Sequence, residues 1–149
     1  MKVAIASDHG GLELKNVINA YLKDKEIEVI DCGTYTKESC DYPDYAEKAC
    51  KKVQDGNAEI AILVCGTGLG MSIAANKMKD IRAVVCGEEF SAYHAKSHNN
   101  ANVLCLGERV VGVGLAILIV DTFLNASFEG GRHERRVNKI AQLESSLFE

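Results

Sequence analysis

EIAILVCGTGLGM, residues 59–71, is the stretch that decides the fold, because a short apolar, β-branched run meets a glycine-rich turn there. Residues 59–64 predict a buried strand, and residues 71–78 predict the helix that follows it. A strand that passes through a tight glycine turn directly into a helix is typical of a parallel α/β sheet. The turn amides then point the same way as a helix N-terminus, which stabilises bound anions and thiolates. The thiol of Cys65 lies at this point, so it is a candidate reactive group.

The rest of the chain repeats this alternation of short apolar runs and longer amphipathic ones. Further strands are predicted at 3–6, 27–31, 82–86 and 103–106, and further helices at 11–25, 43–54, 88–97 and 111–124. Strands separated by helices form right-handed crossovers, so we predict an α/β fold. It is a three-layer α/β/α sandwich whose doubly wound, Rossmann-like sheet has five parallel strands, with an extra C-terminal helix at 132–147. No repeat or linker interrupts the pattern, so residues 1–149 are expected to form a single domain.

The composition is that of an ordinary globular domain, and it narrows the classes of partner. The net charge of −4 argues against a general nucleic-acid binder, because phosphate backbones require an excess of Lys and Arg. The longest apolar run, at 110–120, contains two glycines and is shorter than the roughly 20 residues that a membrane-spanning helix needs. The N-terminal apolar run reaches Ser7 too early for a signal peptide, so a cytoplasmic location is expected. The 6 cysteines include no Cys-x-x-Cys pair, which predicts neither a zinc finger nor a disulfide framework.

Polar residues cluster around the ends of the predicted strands. SDHGG at 7–11 follows the first strand, CGTGLG at 65–70 follows the third and CGE at 86–88 follows the fourth, while HNN at 98–100 comes just before the fifth. Ligands of doubly wound sheets bind beyond the carboxyl ends of the strands. We therefore expect these four segments to line one pocket.

The glycine turn by itself leaves two interpretations open. Its Gly-x-Gly-x-Gly pattern lacks the spacing of a dinucleotide-binding loop, and the chain has no Gly-Lys-Ser/Thr of a P-loop. The cysteine phosphatases carry an arginine six positions after the thiol, where this chain has Met71. The turn is therefore either a tight strand-to-helix connection or an anion-binding nest with a reactive Cys65.

Histidine and aspartate residues near the predicted helix ends are further candidates. Asp8 is suited to be a helix N-cap, and His9 is suited to hydrogen-bond a sugar hydroxyl or a phosphate. His98 closes a predicted helix, where a solvent-facing cap is the alternative to a ligand role. His94 lies four residues earlier, and two histidines at this spacing can bind zinc. The sequence shows no third ligand, so no metal is expected.

GGRHERR at 130–136 is the dense cluster of positive charge in the chain. Arg132 and Arg136 are four residues apart, so they share one helix face and can both reach a phosphate dianion. The alternative is a solvated helix face. Arg109, after the fifth strand, is a further candidate for phosphate binding.

Six motifs, in order and at matching spacing, resemble the sugar-phosphate isomerase family that contains ribose-5-phosphate isomerase B and the galactose 6-phosphate and allose 6-phosphate isomerases. The resemblance covers essentially the whole chain. It implies reversible isomerisation of ribose 5-phosphate and ribulose 5-phosphate, a step of the pentose phosphate pathway. The motifs are SDHGG at 7–11, DYP at 41–43, CGTGLG at 65–70 with IAANK at 73–77, HN at 98–99 with NVL at 102–104, G-x-RVVG at 107–112 and EGGRH at 129–133.

The resemblance also implies catalytic roles. Cys65 would be the base that removes the proton from carbon 2 of the open-chain aldose, because Met71 stands where another branch of the family has a glutamate. Thr67 and the turn amides would surround the oxygens of the cis-enediolate. His98 would donate a proton to open the furanose ring. The turn residues that bind substrate would be Gly66, Gly68, Leu69 and Gly70.

Substrate binding and assembly follow from the same resemblance. Asp8 and Asn99 would hold sugar hydroxyls, and Tyr42 of the DYP motif would contact the substrate. No cofactor and no metal are implied. Members of the family share each active site between two subunits of a homodimer, with a tetramer as the alternative assembly. The phosphate ligands would be His9, Arg109, Arg132 and Arg136.

Two alternative functions stay open at this point. The same chemistry on a six-carbon sugar phosphate, such as allose 6-phosphate or galactose 6-phosphate, differs only in pocket depth. A non-catalytic phosphosugar-binding module would use the same fold and bind without turnover.

Overall fold

Five parallel strands form one sheet in the order β2-β1-β3-β5-β4 in this computed structural model, which describes residues 1–147. The strands are β1 (Lys2–Ser7), β2 (Glu28–Asp31), β3 (Ile60–Cys65), β4 (Ala83–Val85) and β5 (Val103–Gly107). The helices are α1 (Leu12–Asp24), α2 (Tyr42–Gln54), α3 (Leu69–Ala75), α4 (Glu89–Ser97), α5 (Val113–Asn125) and α6 (Arg132–Ser146), and a 3-10 turn at His9–Gly11 precedes α1. The predicted doubly wound sheet and extra C-terminal helix are confirmed. Among the described residues, no helix combines the length and apolar content needed to cross a bilayer.

Helices cover both faces of the sheet. Apolar residues of α1, α4 and α5 form one core cluster with the sheet, and those of α2 and α3 form the other. All residues of β3 are buried, which is typical of the central strand of a parallel sheet with two covered faces. Side chains alternate along a strand, so Val64 belongs to the first cluster and Cys65 to the second. The thiol therefore lies on the α2–α3 side.

The third helix differs from its predicted bounds at both ends. Gly68 has a φ of +80°, so the turn closes early and α3 begins at Leu69 rather than Met71. The helix ends at Ala75 because the side chain of Asn76 leaves it to bind the next strand. Its Nδ2 donates to the carbonyl of Ala83 at 2.9 Å, and its Oδ1 accepts from the amide of Ala83 at 2.8 Å.

A lysine of α1 is fully buried, which the sequence pattern does not indicate. The Nζ of Lys15 donates to Asp31 Oδ1 at 2.7 Å and to the carbonyl of Thr34 at 2.8 Å. It also lies 4.8 Å from the ring centroid of Tyr35. A buried charge needs such partners, and here they tie the loop after β2 to α1. That loop leads to Cys40, which contacts the candidate site.

All five strands run in the same direction, so their carboxyl ends lie along one side of the sheet and their amino ends along the opposite side. The segments after Ser7, Cys65 and Gly107 lie at the carboxyl edge, and the segment before Val103 lies at the amino edge. The register pairs Val103 with Ala61 and Gly107 with Cys65. The four residue steps from one pair to the other span about 13 Å. The side with the carboxyl ends of the strands is the carboxyl edge, and the side with their amino ends is the amino edge.

Candidate active site

The thiol of Cys65 is hydrogen-bonded to the main chain of the glycine turn. Its Sγ accepts a hydrogen bond from the amide of Gly68 at 3.1 Å, and the residue is 5% exposed. An N–H donor that faces a sulfur stabilises negative charge on it. Thr67 is exposed, and its Oγ1 accepts from the amide of Leu69 at 3.3 Å. The turn at 65–70 thus combines a thiol, backbone donors and a hydroxyl, and we call it the nest.

The loop after β5 is bonded to the nest by its main chain. The amide of Glu108 donates to the carbonyl of Cys65 at 2.9 Å, and the amide of Arg109 donates to that of Gly66 at 3.0 Å. A Cβ on Gly66 would lie 3.5 Å from Nη1 of Arg109, so the guanidinium group lies directly over the turn. The structure therefore brings a positive charge to the nest.

The segment after β1 completes this side of the site. Asp8 is the N-cap of the 3-10 turn, as predicted, since its Oδ1 accepts from the amide of Gly10 at 2.9 Å. Nδ1 of His9 accepts from the amide of Cys40 at 3.2 Å. Because Nδ1 is an acceptor, the neutral ring carries its hydrogen on Nε2, which leaves that N–H for a ligand. A Cβ on Gly10 would lie 3.5 Å from the amide of Gly66, so this segment borders the nest.

Tyr42 packs against the last glycine of the nest. A Cβ on Gly70 would lie 2.8 Å from Cε2 and Cζ of the Tyr42 ring, so only glycine lets the ring come this close. Tyr42 is the first residue of α2, and it is 41% exposed. Its ring therefore forms one wall beside the turn and stays open to a ligand.

Three other thiols lie in the core, where burial disfavours the thiolate. Burial raises the pKa of the Cys50 thiol to about 12 and that of the Cys86 thiol to about 11. Burial also raises the pKa of Cys105 well above its usual value. These thiols act as small apolar side chains of the core.

A second cluster of candidate residues lies at the amino edge. His98 is the C-cap of α4, and its ring stacks on that of His133 with a centroid separation of 3.9 Å and planes 12° apart. Oε2 of Glu129 lies 3.7 Å from Nε2 of His98 and 3.5 Å from Nε2 of His133. Burial, the neighbouring His98 and Arg132 together lower the pKa of His133, which favours its neutral form. The cluster thus pairs two imidazoles with one carboxylate.

The remaining candidates of the sequence analysis surround this second cluster. Arg132 and Arg136 are exposed one helical turn apart at the start of α6, so both guanidinium groups are free to bind an anion. Asn99 is also exposed and follows His98 directly. The arginine pair is therefore on one helix face, as predicted.

His98, Glu129 and His133 bring three metal-ligating atoms within 4.8 Å of one another. This group was not predicted from the sequence, because Glu129 and His133 are distant from His98 along the chain. A metal ion needs ring lone pairs that converge on one point, and they lie in the plane of each imidazole. The two stacked ring planes are only 12° apart, so lone pairs in those planes converge poorly on a single ion.

Within a single chain, the expectation that residues 98–100 line the same pocket as the nest is wrong. Helix α4 returns from the carboxyl edge to the amino edge, so its C-terminal cap, His98, lies at the opposite edge from Cys65. The segment at 86–88 has another role as well, because the carboxylate of Glu88 caps α4 by accepting from the amide of Ser91 at 2.9 Å. One chain therefore carries the candidate residues as two separate halves of a site, one at the carboxyl edge and one at the amino edge.

Comparisons with known proteins agree with the six motifs. The family model described as Ribose/Galactose Isomerase matches residues 3–140. The chain belongs to this isomerase family. It is 50% identical to ribose-5-phosphate isomerase B of Escherichia coli K12 over 143 residues, which are 96% of each chain.

Solved structures of the isomerase family have the same fold. The structure of ribose-5-phosphate isomerase B from Clostridium thermocellum superimposes with a TM-score of 0.98, at 52% identity over 99% of each chain. That of the enzyme from Mycoplasma genitalium, determined with bound ribulose-5-phosphate, has a TM-score of 0.92 at 46% identity, covering 97% of this chain and 96% of that one. The predicted three-layer fold and the family resemblance are both confirmed.

Two neighbours of His98 in the second cluster, Glu129 and His133, were not among the candidates predicted from the sequence. Glu129 and His133 were visible only as parts of the EGGRH motif, next to the arginines. Nothing in the local sequence says that this segment returns to the end of α4. The main-chain bond from the amide of Glu129 to the carbonyl of Ser97, at 3.0 Å, is what brings it there.

Replacing Gly107 by alanine is expected to deform the nest. A Cβ at this position would lie 2.6 Å from the carbonyl carbon of Thr67 and 2.7 Å from its Cα, and main chain cannot rotate away as a side chain does. Overpacking of this kind costs about 1–3 kcal/mol of stability. Thermal unfolding and turnover of Gly107→Ala should both fall. Gly112→Ala is the matched control, because nothing lies within 4 Å of its added Cβ; equal behaviour of the two variants would contradict the prediction.

Proposed function

We propose that residues 1–149 function as one catalytic domain that interconverts ribose 5-phosphate and ribulose 5-phosphate. The proposal includes Cys65 as the base and a site formed by two copies of the chain. The observation that carries it is the nest, in which the Cys65 thiol, the Gly68 amide and the Arg109 guanidinium group meet. Relatives with 46–52% identity over nearly their whole length carry the name of this activity.

The nest supplies what an aldose–ketose isomerisation requires. The thiolate of Cys65 takes the proton from carbon 2 and returns it to carbon 1. A second proton passes from O2 to O1, so the carbonyl moves from carbon 1 to carbon 2. Negative charge builds up on the enediolate oxygens, and fixed N–H donors stabilise charge that develops in the transition state. The amides of the turn and the hydroxyl of Thr67 are the donors at hand. Met71 is fully buried and has no ionisable group, so it offers no competing base.

The substrate phosphate is proposed to bind between arginines of the two halves. Arg109 and His9 provide donors at the carboxyl edge, and Arg132 and Arg136 provide two guanidinium groups at the amino edge. Guanidinium groups bind phosphate oxygens in pairs, which orients the substrate as well as holding it. Tyr42, Asp8 and Asn99 are proposed to contact the sugar.

Two copies of the chain are needed to bring these halves together. Within one chain the edges are about 13 Å apart, whereas the carbon chain of a pentose spans only about 5 Å. A homodimer in which the carboxyl edge of one copy faces the amino edge of its partner resolves this separation. A closed two-fold arrangement of this kind creates two equal sites.

Exposed apolar side chains support a second copy as the neighbour of the nest. Leu69 and Ile73 are 57% and 64% exposed on the outer face of α3, immediately beside the nest. Ile140 and Leu143 on α6 are 48% and 68% exposed, and they line a cavity of about 520 Å³. Exposed apolar patches of this kind mark protein–protein contacts. Mass measurement in solution distinguishes the proposed dimer from a tetramer, the alternative assembly.

An isomerase assay with several aldose phosphates tests the proposed activity. We expect the highest kcat/KM with ribose 5-phosphate, and lower values with allose 6-phosphate and galactose 6-phosphate. The reverse order would assign the chain to the six-carbon substrates that the family model also covers. Binding of all three without turnover would favour a phosphosugar-binding module and contradict the proposal.

Removal of the arginine pair is expected to weaken binding more than chemistry. Arg132→Ala or Arg136→Ala deletes one charge-assisted contact to phosphate, and such contacts contribute about 1.5–3 kcal/mol each. KM for ribose 5-phosphate should therefore rise by about 10- to 100-fold, with a smaller change in kcat. Arg135→Ala is the matched control, because Arg135 lies on another part of the helix surface. Unchanged KM in both test variants would exclude the phosphate role.

A further inference from the structure

One carboxylate oxygen of Glu129 lies close to the Nε2 atoms of both stacked imidazoles, His98 and His133. Its Oε2 is 3.7 Å from Nε2 of His98 and 3.5 Å from Nε2 of His133. The Nε2 atom of His133 is buried and has no hydrogen-bond partner among the described residues. A buried polar atom of this kind calls for a partner, and Glu129 is the carboxylate in position to serve.

The main chain holds this arrangement in place. The amide of Glu129 donates to the carbonyl of Ser97 at 3.0 Å, which fixes Glu129 beside the end of α4. Gly130 and Gly131 have φ values of +68° and +57°, so the chain reverses there before α6 begins. The reversal returns His133 over the ring of His98. The cluster is thus set by backbone geometry as well as by side-chain rotamers.

We propose that Glu129 is a positioning residue for the ring-opening step. Its carboxylate holds the ring of His98 against His133 and stabilises the protonated imidazole that donates to the sugar. This inference rests on the proposed isomerase function and on the role of His98 within it. Arg132 and Arg136, which lie on α6 together with His133, add positive charge nearby. Without Glu129, a protonated His98 would therefore lack a negative partner in the cluster.

Ring opening moves one proton across the anomeric centre of ribose 5-phosphate. The C1–O4 bond breaks, its electron pair stays on O4, and O4 takes a proton from the imidazolium of His98. The O1 hydroxyl loses its proton to the same, now neutral, imidazole, while C1 and O1 form the aldehyde. The residue therefore ends in the state in which it began. Glu129 takes part in no bond change, and its charge offsets the charge of the imidazolium.

Glu129→Gln tests this role, because the amide keeps the shape of the side chain and removes its charge. Ribulose 5-phosphate provides the second readout, since its O5 carries the phosphate and it cannot close to a furanose. Two rates are measured: net conversion of ribose 5-phosphate, which needs ring opening, and exchange of solvent deuterium into carbon 1 of ribulose 5-phosphate, which does not. Glu134→Gln makes the same change on an exposed residue of α6 and is the matched control.

We expect Glu129→Gln to lower kcat for ribose 5-phosphate by about 10-fold or more and to change deuterium exchange by less than about 2-fold. Glu129→Asp, which keeps the charge, should recover part of the loss, and Glu134→Gln should leave both rates unchanged. An equal loss of both rates, or no loss, would overturn the positioning role. Failure of the unaltered protein to catalyse either process would instead overturn the proposed function.

Discussion

Replacing Cys65 by alanine is expected to lower turnover of ribose 5-phosphate by about 10³-fold, while the sugar phosphate still binds. The substitution removes the proposed base and leaves the amides of the turn, the Arg109 guanidinium group and the arginines of α6 in place. Steady-state kinetics measures the loss, and calorimetry measures the surviving affinity. The packing cost should be small, because the substitution deletes a single heavy atom, Sγ.

Cys32→Ala is the matched control for this experiment. Cys32 directly follows β2, the strand at one edge of the sheet. It is half-buried, and burial raises the pKa of its thiol. We expect near-normal turnover from this variant. Near-normal turnover from Cys65→Ala as well would assign the base to another group. Loss of both turnover and binding would indicate a deformed nest, and Cys65→Ser would then separate the two effects.

Mixing two impaired variants is expected to restore activity when ribose 5-phosphate is kept far below the KM of the arginine variant. One variant carries Cys65→Ala at the carboxyl edge, and the other carries Arg132→Ala with Arg136→Ala at the amino edge. In a mixed dimer one site receives all the lesions and the other receives none. Random exchange of subunits makes about half of the dimers mixed, so the mixture should recover about a quarter of the unaltered activity.

A second mixture provides the control. Mixing Cys65→Ala subunits with Arg109→Ala subunits places a lesion at the carboxyl edge of every subunit, so no arrangement of them yields an intact site, and no recovery is expected. Recovery must also require subunit exchange, which brief incubation in dilute denaturant accelerates. If the first mixture stayed inactive after exchange was demonstrated by mass spectrometry, each site would have to lie within a single chain.

Much of the fold follows from local patterns in the sequence. The apolar run that ends at Cys65 has the continuous hydrophobicity of a central parallel strand, and the structure buries all of it. The turn residues determine where α3 begins, although the left-handed Gly68 moved that start by two residues. Lys15 was beyond prediction, because its burial depends on Asp31 and Thr34 from a different part of the chain.

The site was harder to predict than the fold. Asp8, Cys65 and Arg109 all follow strands, so the carboxyl-edge rule found them together. The same rule misassigned His98, since a residue that precedes a strand lies at the other edge. The approach of Glu129 to His98 depends on a long-range main-chain bond, for which no periodicity or spacing in the sequence gives a signal.

The distance between the two edges has a consequence for how the rate depends on concentration. On the proposal of a shared site, a folded single chain carries every required residue and still cannot complete one turnover. At protein concentrations below the dissociation constant of the dimer, activity per chain then falls in proportion to protein concentration, because only chains that have associated into dimers are active. The rate is therefore set by dimer association as well as by the chemical step. Any substitution that weakens the contact between the subunits lowers activity, even when the residue does not contact the substrate.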